Sequence, residues 1–439
     1  MATTNPVPRF PDGFLWGVST SAHQIEGAVD TREPSVWDVF TAEPGRVRDG
    51  STAAVACDHV HRHAEDVALL AGLGVDAYRF SVSWPRVRAS DGLDFYDRLV
   101  DELCAAGVRP VPTLFHWDLP AGLDWLERST AERFAEYAAE VAGRLGDRVQ
   151  KWITLNEPAE HTLLGHALGV HAPGRKLLFD ALPVAHHQLL AHGLAVRALR
   201  AAGAGDIGIA NSHGPAWPAS REEADVAAAD FYDLLLNRLF ADPLLLGRYP
   251  EGVGELMPGD VGADLKVIAE PLDWYGINYY APTGVGAPRD TGTDFGGVRI
   301  PAGLPFSLRE IEGHPVTDFG WPVVPQALTE ILTTFHARYG DRLPPVVITE
   351  NGCAYEGLDD RDRIAYLDGH LRALHRAVEA GVDVRGYFVW SLMDNFEWGY
   401  GYSKRFGIVH VDYETQRRTL KDSALWYREL ATTGSIPLG

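Results

Sequence analysis

Cysteine is scarce in this chain of 439 residues, which carries three, Cys57, Cys104 and Cys353. Three cysteines so far apart cannot build a disulfide framework or a zinc site of the usual spacing, and they are typical of a reducing compartment. Met1 to Phe10 lack the basic segment and the apolar run of a signal peptide. No uninterrupted apolar stretch is long enough to span a bilayer. We therefore expect a cytoplasmic protein without a membrane partner.

Positive charge is also in short supply, because 39 Lys and Arg stand against 60 Asp and Glu, for a net charge of −21. A phosphate backbone would be repelled by such a chain, so nucleic acid is not an expected partner. The expected partner is a neutral small molecule, and homo-oligomerisation is left open. Hydrophobic residues make up 46% of the sequence and charged residues 23%, which is ordinary for a globular protein with a large core.

Tryptophan, by contrast, is abundant, with twelve residues in the chain. Core packing explains most of them. Some can serve another purpose, because the apolar faces of sugars lie flat on indole rings. We expect about a third of the tryptophans at a binding site.

Eight strand-like runs alternate with helical patterns from end to end of the chain. Eight repeats of this alternation predict an α/β fold. The predicted fold is a single (β/α)8 TIM barrel over residues 1–439, with extended loops at its C-terminal face. No glycine-rich dinucleotide turn follows the first run, which argues against a doubly wound sheet. The predicted strands are Phe14–Ser21, Ala77–Trp84, Arg109–His116, Lys151–Glu157, Ile207–Ser212, Trp274–Tyr280, Val346–Glu350 and Arg385–Ser391.

Two helices and one loop are predicted in more detail. Apolar residues four apart favour a helix over Asp94–Cys104. A second helix is expected over Ser129–Leu145, where Ser129 and Glu132 have the spacing of a capping box. The stretch Pro282–Gly320 is rich in glycine and irregular. It can overhang the barrel mouth or be a passive surface insertion, and the sequence leaves both open.

Two of the strand-like runs end in a glutamate, Glu157 and Glu350, and a Pro or Gly then turns the chain out of the strand. The C-terminal ends of parallel strands form the face at which such sheets bind ligands. Two carboxyl groups that meet there are what the hydrolysis of a glycosidic bond needs, one as acid and one as nucleophile or base. This pair predicts a glycosidase.

The other strand ends carry amides, imidazole, phenol and indoles, which hydrogen-bond to hydroxyls or stack on sugar rings. They form neither a phosphate cradle nor a metal triad, so no cofactor and no metal is expected. His59, His61 and His63 alternate in a way that could hold a metal, but no matching ligand set accompanies them. The start of a helix is the favoured interpretation. Arg417 and Arg418 are expected in a solvated turn.

Several stretches make the chain resemble the family 1 glycoside hydrolases, the β-glucosidase and β-galactosidase family. They occur in the family's order along the whole sequence. The resemblance implies a barrel enzyme that hydrolyses β-linked glycosides with retention of configuration. The stretches are FLWGVSTSAHQIEG (14–27), AYRFSVSWPR (77–86), LFHWDLP (114–120), TLNEP (154–158), GINYY (276–280), ITENG (348–352) and WSLMDNFEWGYGYSKRFGIVHVD (390–412).

Residue roles follow from the resemblance. Glu157 would be the acid/base and Glu350 the nucleophile, with Arg79 beneath it. Retention requires the two carboxyl groups to lie roughly 5 Å apart, so that the charge of one opposes ionisation of the other. The implied substrate-binding residues are Gln24, His116, Asn156, Asn278, Tyr280, Trp321, Trp390, Glu397 and Trp398.

The expected substrates are β-glucosides or short β-linked oligosaccharides, with β-galactosides and β-fucosides as further candidates. Glu397 favours a sugar without a 6-phosphate, because a carboxylate repels phosphate. Short segments at Val87–Asp94 and Ala121–Leu126, together with Ala159, predict a wide leaving-group side. A transglycosylase that uses the same intermediate remains an alternative. An inactive sugar-binding relative is disfavoured, because both carboxyl groups are present.

Overall fold

Eight parallel strands close into a barrel in the computed structural model, which describes residues 8–295 and 298–437. The eighth strand pairs with the first, from Leu15 opposite Gly386 to Ser19 opposite Trp390. The predicted (β/α)8 barrel is confirmed, and each strand ends within three residues of its predicted bound. The barrel strands are β1 (Leu15–Ser19), β2 (Ala77–Ser81), β3 (Arg109–Phe115), β4 (Trp152–Asn156), β5 (Ile207–Ser212), β6 (Tyr275–Asn278), β7 (Val346–Asn351) and β8 (Val384–Trp390).

Helices connect the strands and surround the barrel, burying their apolar faces against it. In the described residues, no helix has the length and apolar content needed to cross a membrane. The longer helices are His59–Leu73, Gly92–Ala105, Arg128–Leu145, Leu182–Ala201, Glu223–Asp233, Leu239–Leu246, Val261–Ile268, Pro325–Tyr339, Arg361–Glu379 and Asp422–Thr433; shorter ones are Ala22–Ile25, Val36–Thr41, Trp84–Val87 and Pro158–Glu160, and π-helical segments are His161–Ala167 and Leu234–Arg238.

A separate apolar cluster fills the interior of the barrel, and we call it the barrel plug. Glycines make room for its largest rings: a Cβ on Gly17 would lie 2.3 Å from the Phe388 ring, and one on Gly208 would lie 2.5 Å from the Trp274 indole. Most of its members come from the first half of their strands, so the plug lies below the C-terminal strand ends. The plug consists of Leu15, Ala77, Val111, Ile153, Ala210, Trp274, Val347 and Phe388.

The irregular stretch Pro282–Gly320 contains short strands that the sequence did not reveal. Ala216–Pro218, Thr283–Gly286 and Ser307–Arg309 form one small sheet, and Thr293–Phe295 pairs with Val298–Ile300 in another. Strands of three or four residues are too short to show a periodic pattern, which is why they were not predicted.

Two local predictions were wrong. The second predicted helix begins one residue early, at Arg128, and Ser129 makes no capping hydrogen bond. The neighbouring Thr130 hydroxyl instead donates to the Asp124 carbonyl at 2.5 Å, which fixes the approach to the helix.

The second error concerns Arg417 and Arg418, which begin the strand Arg417–Leu420. Successive side chains of a strand point to opposite sides. Arg417 is therefore exposed, whereas the Arg418 guanidinium is buried and contacts the Asp66 carboxylate at 2.8 Å. Asp66 also pairs with His59, so Arg418 ties the last hairpin to the His59–Leu73 helix.

Arg418→Ala should lower the free energy of unfolding by about 3–5 kcal/mol, because it leaves Asp66 as a buried charge without its guanidinium. The control, Arg417→Ala, removes an exposed neighbour and should change stability by less than about 0.5 kcal/mol. Urea denaturation of both variants measures the difference. Similar losses in the two variants would contradict the assignment of the ion pair.

Candidate active site

Glu157 and Glu350 meet in one cavity of about 790 Å³ at the C-terminal ends of the strands. Glu157 directly follows β4, and Glu350 lies near the end of β7. The backbone of Glu157 has φ 46° and ψ 60°, a left-handed conformation that is uncommon for glutamate and typical of strained functional sites. The side-chain amide of Asn278 donates to Glu157 at 2.8 Å and to the Asn156 side-chain oxygen at 3.0 Å. Arg79 donates to that same Asn156 oxygen and to Glu350, so a chain of hydrogen bonds links the two carboxyl groups.

Glu350 is surrounded by groups that favour its ionised form. Arg79 from β2 donates to one carboxylate oxygen at 2.6 Å, and the Tyr280 hydroxyl donates to the other, also at 2.6 Å. Burial raises the pKa of Glu350, but the Arg79 charge and these hydrogen bonds oppose that rise. A carboxylate held in this way is a suitable nucleophile.

Glu157 has a different environment. Burial raises its pKa well above the usual range, and the charges of Glu350 and Glu160 raise it further. The hydrogen bond from Asn278 and the more distant Arg79 oppose this only in part. Glu157 therefore keeps its proton to higher pH, and Glu350 is the more readily ionised partner. This asymmetry separates an acid from a nucleophile.

A second polar cluster lies around Glu397, after β8. Gln24 donates to the Glu397 carboxyl at 3.2 Å and to the Phe396 carbonyl at 3.0 Å. Burial raises the pKa of Glu397 to about 8, and the charge of Glu350 adds to this rise while the Gln24 hydrogen bond opposes it. Glu397 can therefore donate as well as accept hydrogen bonds near neutral pH.

Aromatic rings form the walls of the cavity. His116 stacks on Trp390 with ring centroids 5.6 Å apart, and Trp398 packs on Trp117 at 4.8 Å. Trp321 lies 5.1 Å from Tyr280. Four of the twelve tryptophans line the cavity, which agrees with the expected third: Trp117, Trp321, Trp390 and Trp398.

The predicted site residues are all close together, but they occupy two layers. One layer lines the cavity and comprises His116, Glu157, Tyr280, Trp321, Glu350, Trp390, Glu397 and Trp398. The other lies behind it, fully buried or nearly so, and holds the lining residues in place; it comprises Gln24, Arg79, Asn156 and Asn278. In this second layer Asn278 donates to Asn156 at 3.0 Å, and the Asn156 amide contacts His116 at 3.0 Å.

The histidines that could have held a metal have separate partners. His59 bonds to Asp66 and His61 to Asp58, while His63 contacts the Val60 carbonyl. Within residues 8–295 and 298–437, no group of three or more His, Cys, Asp or Glu side chains is arranged to hold a metal ion.

Sequence reasoning missed Glu160, which also lines the cavity. Its carboxyl accepts a hydrogen bond from Ser212 at 3.2 Å, and burial raises its pKa. A signal was available, since Glu160 lies three residues after Glu157 and Pro158 favours a helix start. Residues three apart on a helix share a face, so the side chains of Glu157 and Glu160 could be expected on the same side of the chain.

Comparison with known proteins finds glycosidases along the whole chain. A model of the family described as Glycosyl hydrolase family 1 matches residues 7–435. The thermostable beta-glucosidase B of Thermobispora bispora is 45% identical, over 98% of this chain and 92% of its own length. A bifunctional beta-D-glucosidase/beta-D-fucosidase of Bifidobacterium breve is 43% identical, over 95% of this chain and 97% of its own.

Solved structures of the same family resemble this fold. The family 1 β-glucosidase of Thermotoga maritima has a TM-score of 0.92 at 41% identity, covering 99% of this chain and all of its own, 100%. The same comparison finds a Thermotoga maritima family 1 glycoside hydrolase in complex with a cyclophellitol analogue transition-state mimic, with a TM-score of 0.91 at 41% identity and coverage of 99% and 100%.

Glu160→Gln should lower the pKa of Glu157, because it removes a negative charge that disfavours ionisation of that carboxyl group. The alkaline limb of kcat/KM against pH for a nitrophenyl β-D-glucoside reports the loss of that proton, and it should move to lower pH. The acidic limb, which reports Glu350, should move much less. Glu136→Gln, at an exposed position of the Arg128–Leu145 helix, is the control. An unchanged alkaline limb in the Glu160 variant would contradict the coupling.

Proposed function

This chain belongs to glycosyl hydrolase family 1, and on that premise we propose that it is a retaining exo-β-glycosidase. It removes terminal, non-reducing β-D-glucosyl residues, and β-galactosyl and β-fucosyl residues are further substrates. The observation that carries the proposal is the pair of Glu157 and Glu350, which are linked through Asn278, Asn156 and Arg79 and have opposite electrostatic surroundings. Two carboxyl groups with separated pKa values are what double displacement requires.

In the proposed first step, the Glu350 carboxylate attacks the anomeric carbon while Glu157 donates its proton to the departing oxygen. The products are the free aglycone and a glucosyl ester on Glu350. The ester carries no charge, so the repulsion that raised the pKa of Glu157 falls away. Glu157 then takes a proton from water, the hydroxide oxygen bonds to the anomeric carbon, and Glu350 departs as a carboxylate. Two inversions give net retention.

In this proposal the apolar face of the glycone lies on the Trp390 ring, and His116 and Glu397 beside it bind the sugar hydroxyls. Gln24 holds Glu397 and Asn156 holds His116 by hydrogen bonds. In the proposal Gln24, Asn156 and Asn278 also bind the substrate. Trp398 and Trp321 complete the walls, the latter beside Tyr280. The glycone end of the cavity is therefore built for hydroxyls and an apolar sugar face.

We extend the proposal to the setting of the enzyme. The whole sequence, residues 1–439, acts as one catalytic domain, and it works in the cytoplasm. Three free cysteines, of which Cys57 and Cys353 are buried, support a reducing compartment. The substrate is a small β-glucoside or short oligosaccharide, and we propose hydrolysis over transfer to an alcohol because the relatives are named as glucosidases and a glucohydrolase. Subunit association is left to measurement of the mass in solution.

Glu350→Ala should abolish hydrolysis of nitrophenyl β-D-glucoside, because no nucleophile remains to form the ester. Azide or formate can enter the vacated space, and added azide should restore turnover and give the α-glucosyl azide, the inverted product. Nuclear magnetic resonance of the product identifies its anomer. Azide should not accelerate the wild-type enzyme in the same way. Substantial hydrolysis by the variant without any anion would refute the assignment of Glu350.

The glycone is proposed to carry no 6-phosphate, because Glu397 occupies the cavity without a cationic partner among the described residues and the neighbouring Glu350 charge also repels phosphate. Wild-type enzyme should hydrolyse nitrophenyl β-D-glucoside with a kcat/KM at least about a hundredfold above that of its 6-phospho counterpart, a difference of about 2.7 kcal/mol. Glu397→Ser should reduce this ratio. A wild-type preference for the phosphorylated sugar would overturn this part of the proposal.

A further inference from the structure

Glu397 lies in a tight turn over residues 396–402, which we call the Glu397 turn. Its backbone N–H donates to the Gly401 carbonyl at 2.7 Å and closes the turn. Two residues of the turn have a positive φ: Trp398 at 47°, which is uncommon for a bulky residue, and Gly401 at 60°. A backbone strained in this way keeps its shape only where its surroundings hold it. The position of the Glu397 carboxyl therefore depends on contacts from outside the turn.

A segment from the long connection between β1 and β2 supplies polar contacts of this kind. We call this segment, residues 47–56, the clamp. The Tyr402 N–H donates to the Asp49 carboxylate at 2.9 Å, and the Tyr402 hydroxyl donates to the Thr52 carbonyl, also at 2.9 Å. Both ends of the Tyr402 residue, its backbone and its ring, are therefore fixed to the clamp where the Glu397 turn ends.

The clamp also holds the start and the middle of the Glu397 turn. The Arg48 N–H donates to the Gly399 carbonyl at 3.0 Å. Phe396, which directly precedes Glu397, is fully buried in a small apolar cluster of its own. Its buried partners in this cluster all belong to the clamp: Val47, Ala53 and Ala56. The turn is thus held along its whole length by one segment of the chain.

Asp49 is the charged group of the clamp that contacts the turn. One oxygen of its carboxylate accepts from the Ser51 N–H at 2.9 Å and from the Ser51 hydroxyl at 2.5 Å, and the other accepts from the Tyr402 N–H. Burial raises the pKa of Asp49, but the hydrogen bonds from Ser51 and Tyr402 outweigh it and hold the pKa below its usual range. The carboxylate is therefore ionised at neutral pH, and hydrogen bonds to an ionised acceptor are stronger than neutral ones.

Gly401 lets the Asp49 carboxylate come this close to the turn. A Cβ on Gly401 would lie 2.1 Å from an Asp49 oxygen, which leaves no room for any other residue. Asp49 itself is exposed, and it is not among the described residues that line the cavity. Its carboxylate therefore does not touch the sugar, and its effect on the reaction passes through the turn that carries Glu397.

From this geometry we infer that Asp49 is a positioning residue for the glycone site. It holds the Glu397 turn from the outside, while Gln24 holds the Glu397 carboxyl from the inside. The inference rests on the proposed glycosidase function, in which Glu397 binds sugar hydroxyls. Without the Asp49 carboxylate the strained turn relaxes, and the Glu397 carboxyl meets those hydroxyls in the required position for a smaller fraction of the time.

Asp49→Ala should lower kcat/KM for nitrophenyl β-D-glucoside about fivefold, because the turn loses a hydrogen bond to an ionised acceptor. Asp49→Asn keeps an oxygen that can accept from Tyr402, so its loss should be smaller. Asp341→Ala is the matched control, at an exposed position in the short helix Gly340–Arg342 before β7, and it should leave kcat/KM unchanged. Thermal unfolding verifies that the three variants are folded. Equal activity of Asp49→Ala and Asp341→Ala would overturn the inference.

A double-mutant cycle distinguishes an action through Glu397 from a general loosening of the fold. In the Glu397→Ala enzyme the turn has no carboxyl to position, so adding Asp49→Ala should change kcat/KM by less than about twofold. Dinitrophenyl β-D-glucoside keeps these rates measurable, because its leaving group needs little acid assistance. Tyr402→Phe, which removes only the hydroxyl bond to Thr52, should behave in the same way. A loss of about fivefold in both backgrounds would show that Asp49 does not act through Glu397.

Glucosides that each lack one hydroxyl give a second, independent readout. The deoxy substrate that Glu397→Ala affects least lacks the hydroxyl that Glu397 binds. Asp49→Ala should spare this same substrate and slow the hydrolysis of the others, because its effect depends on that hydroxyl. Equal slowing across the whole panel is what a purely structural role would give, and it would refute the inference.

Failure of the positioning role is distinguishable from failure of the enzyme function. If the wild-type enzyme hydrolyses nitrophenyl glucoside with retention but Asp49→Ala is as active as its control, the glycosidase function stands and the role of Asp49 is wrong. If the wild-type enzyme hydrolyses no β-glycoside of the panel, the function itself fails and the inference fails with it.

Discussion

The Arg79 guanidinium is the charge on which the architecture of the site depends. It is almost fully buried, and a cation in that position is stable only if every donor has a partner and an opposite charge is near. It donates to Glu350 and the Thr349 carbonyl on β7, to Asn156 on β4 and to the Thr113 hydroxyl on β3. One side chain from β2 thus determines how three other strands end. The site is an extension of the barrel's own polar interior.

That arrangement also explains why two identical side chains have different chemistry. Glu350 receives the Arg79 charge directly, whereas Glu157 is linked to it only through the amides of Asn156 and Asn278. The separation between acid and nucleophile therefore follows from the position of each glutamate relative to a single cation, with Glu160 adding a negative charge on the Glu157 side. Folding and catalysis use the same buried network, so a change that loosens the barrel core also alters the proton affinities.

Much of the fold and of the glycone end could be predicted from the sequence, because long periodic segments and strand-end polar residues carry strong local signals. The eight strands formed as predicted, and the predicted site residues lie close together at their C-terminal ends, although four of them lie behind the cavity lining. The errors arise where tertiary contacts decide. Asp66, some 350 positions away in the chain, buries Arg418, and the Thr130 hydroxyl displaces the expected cap at Ser129.

The barrel plug determines how molecules enter and leave the pocket. Phe388 and Trp274, fitted against Gly17 and Gly208, fill the tube below the reacting groups, so no chain can thread through it from one end to the other. Each round of the proposed reaction leaves a monosaccharide at the closed inner end of the pocket, beneath any molecule at the entrance. Departure of that sugar and arrival of the next molecule must use the same opening. In the proposed reaction the released sugar and the next substrate therefore occupy the same space in turn, and a β-linked oligosaccharide is shortened in separate visits rather than by continuous sliding.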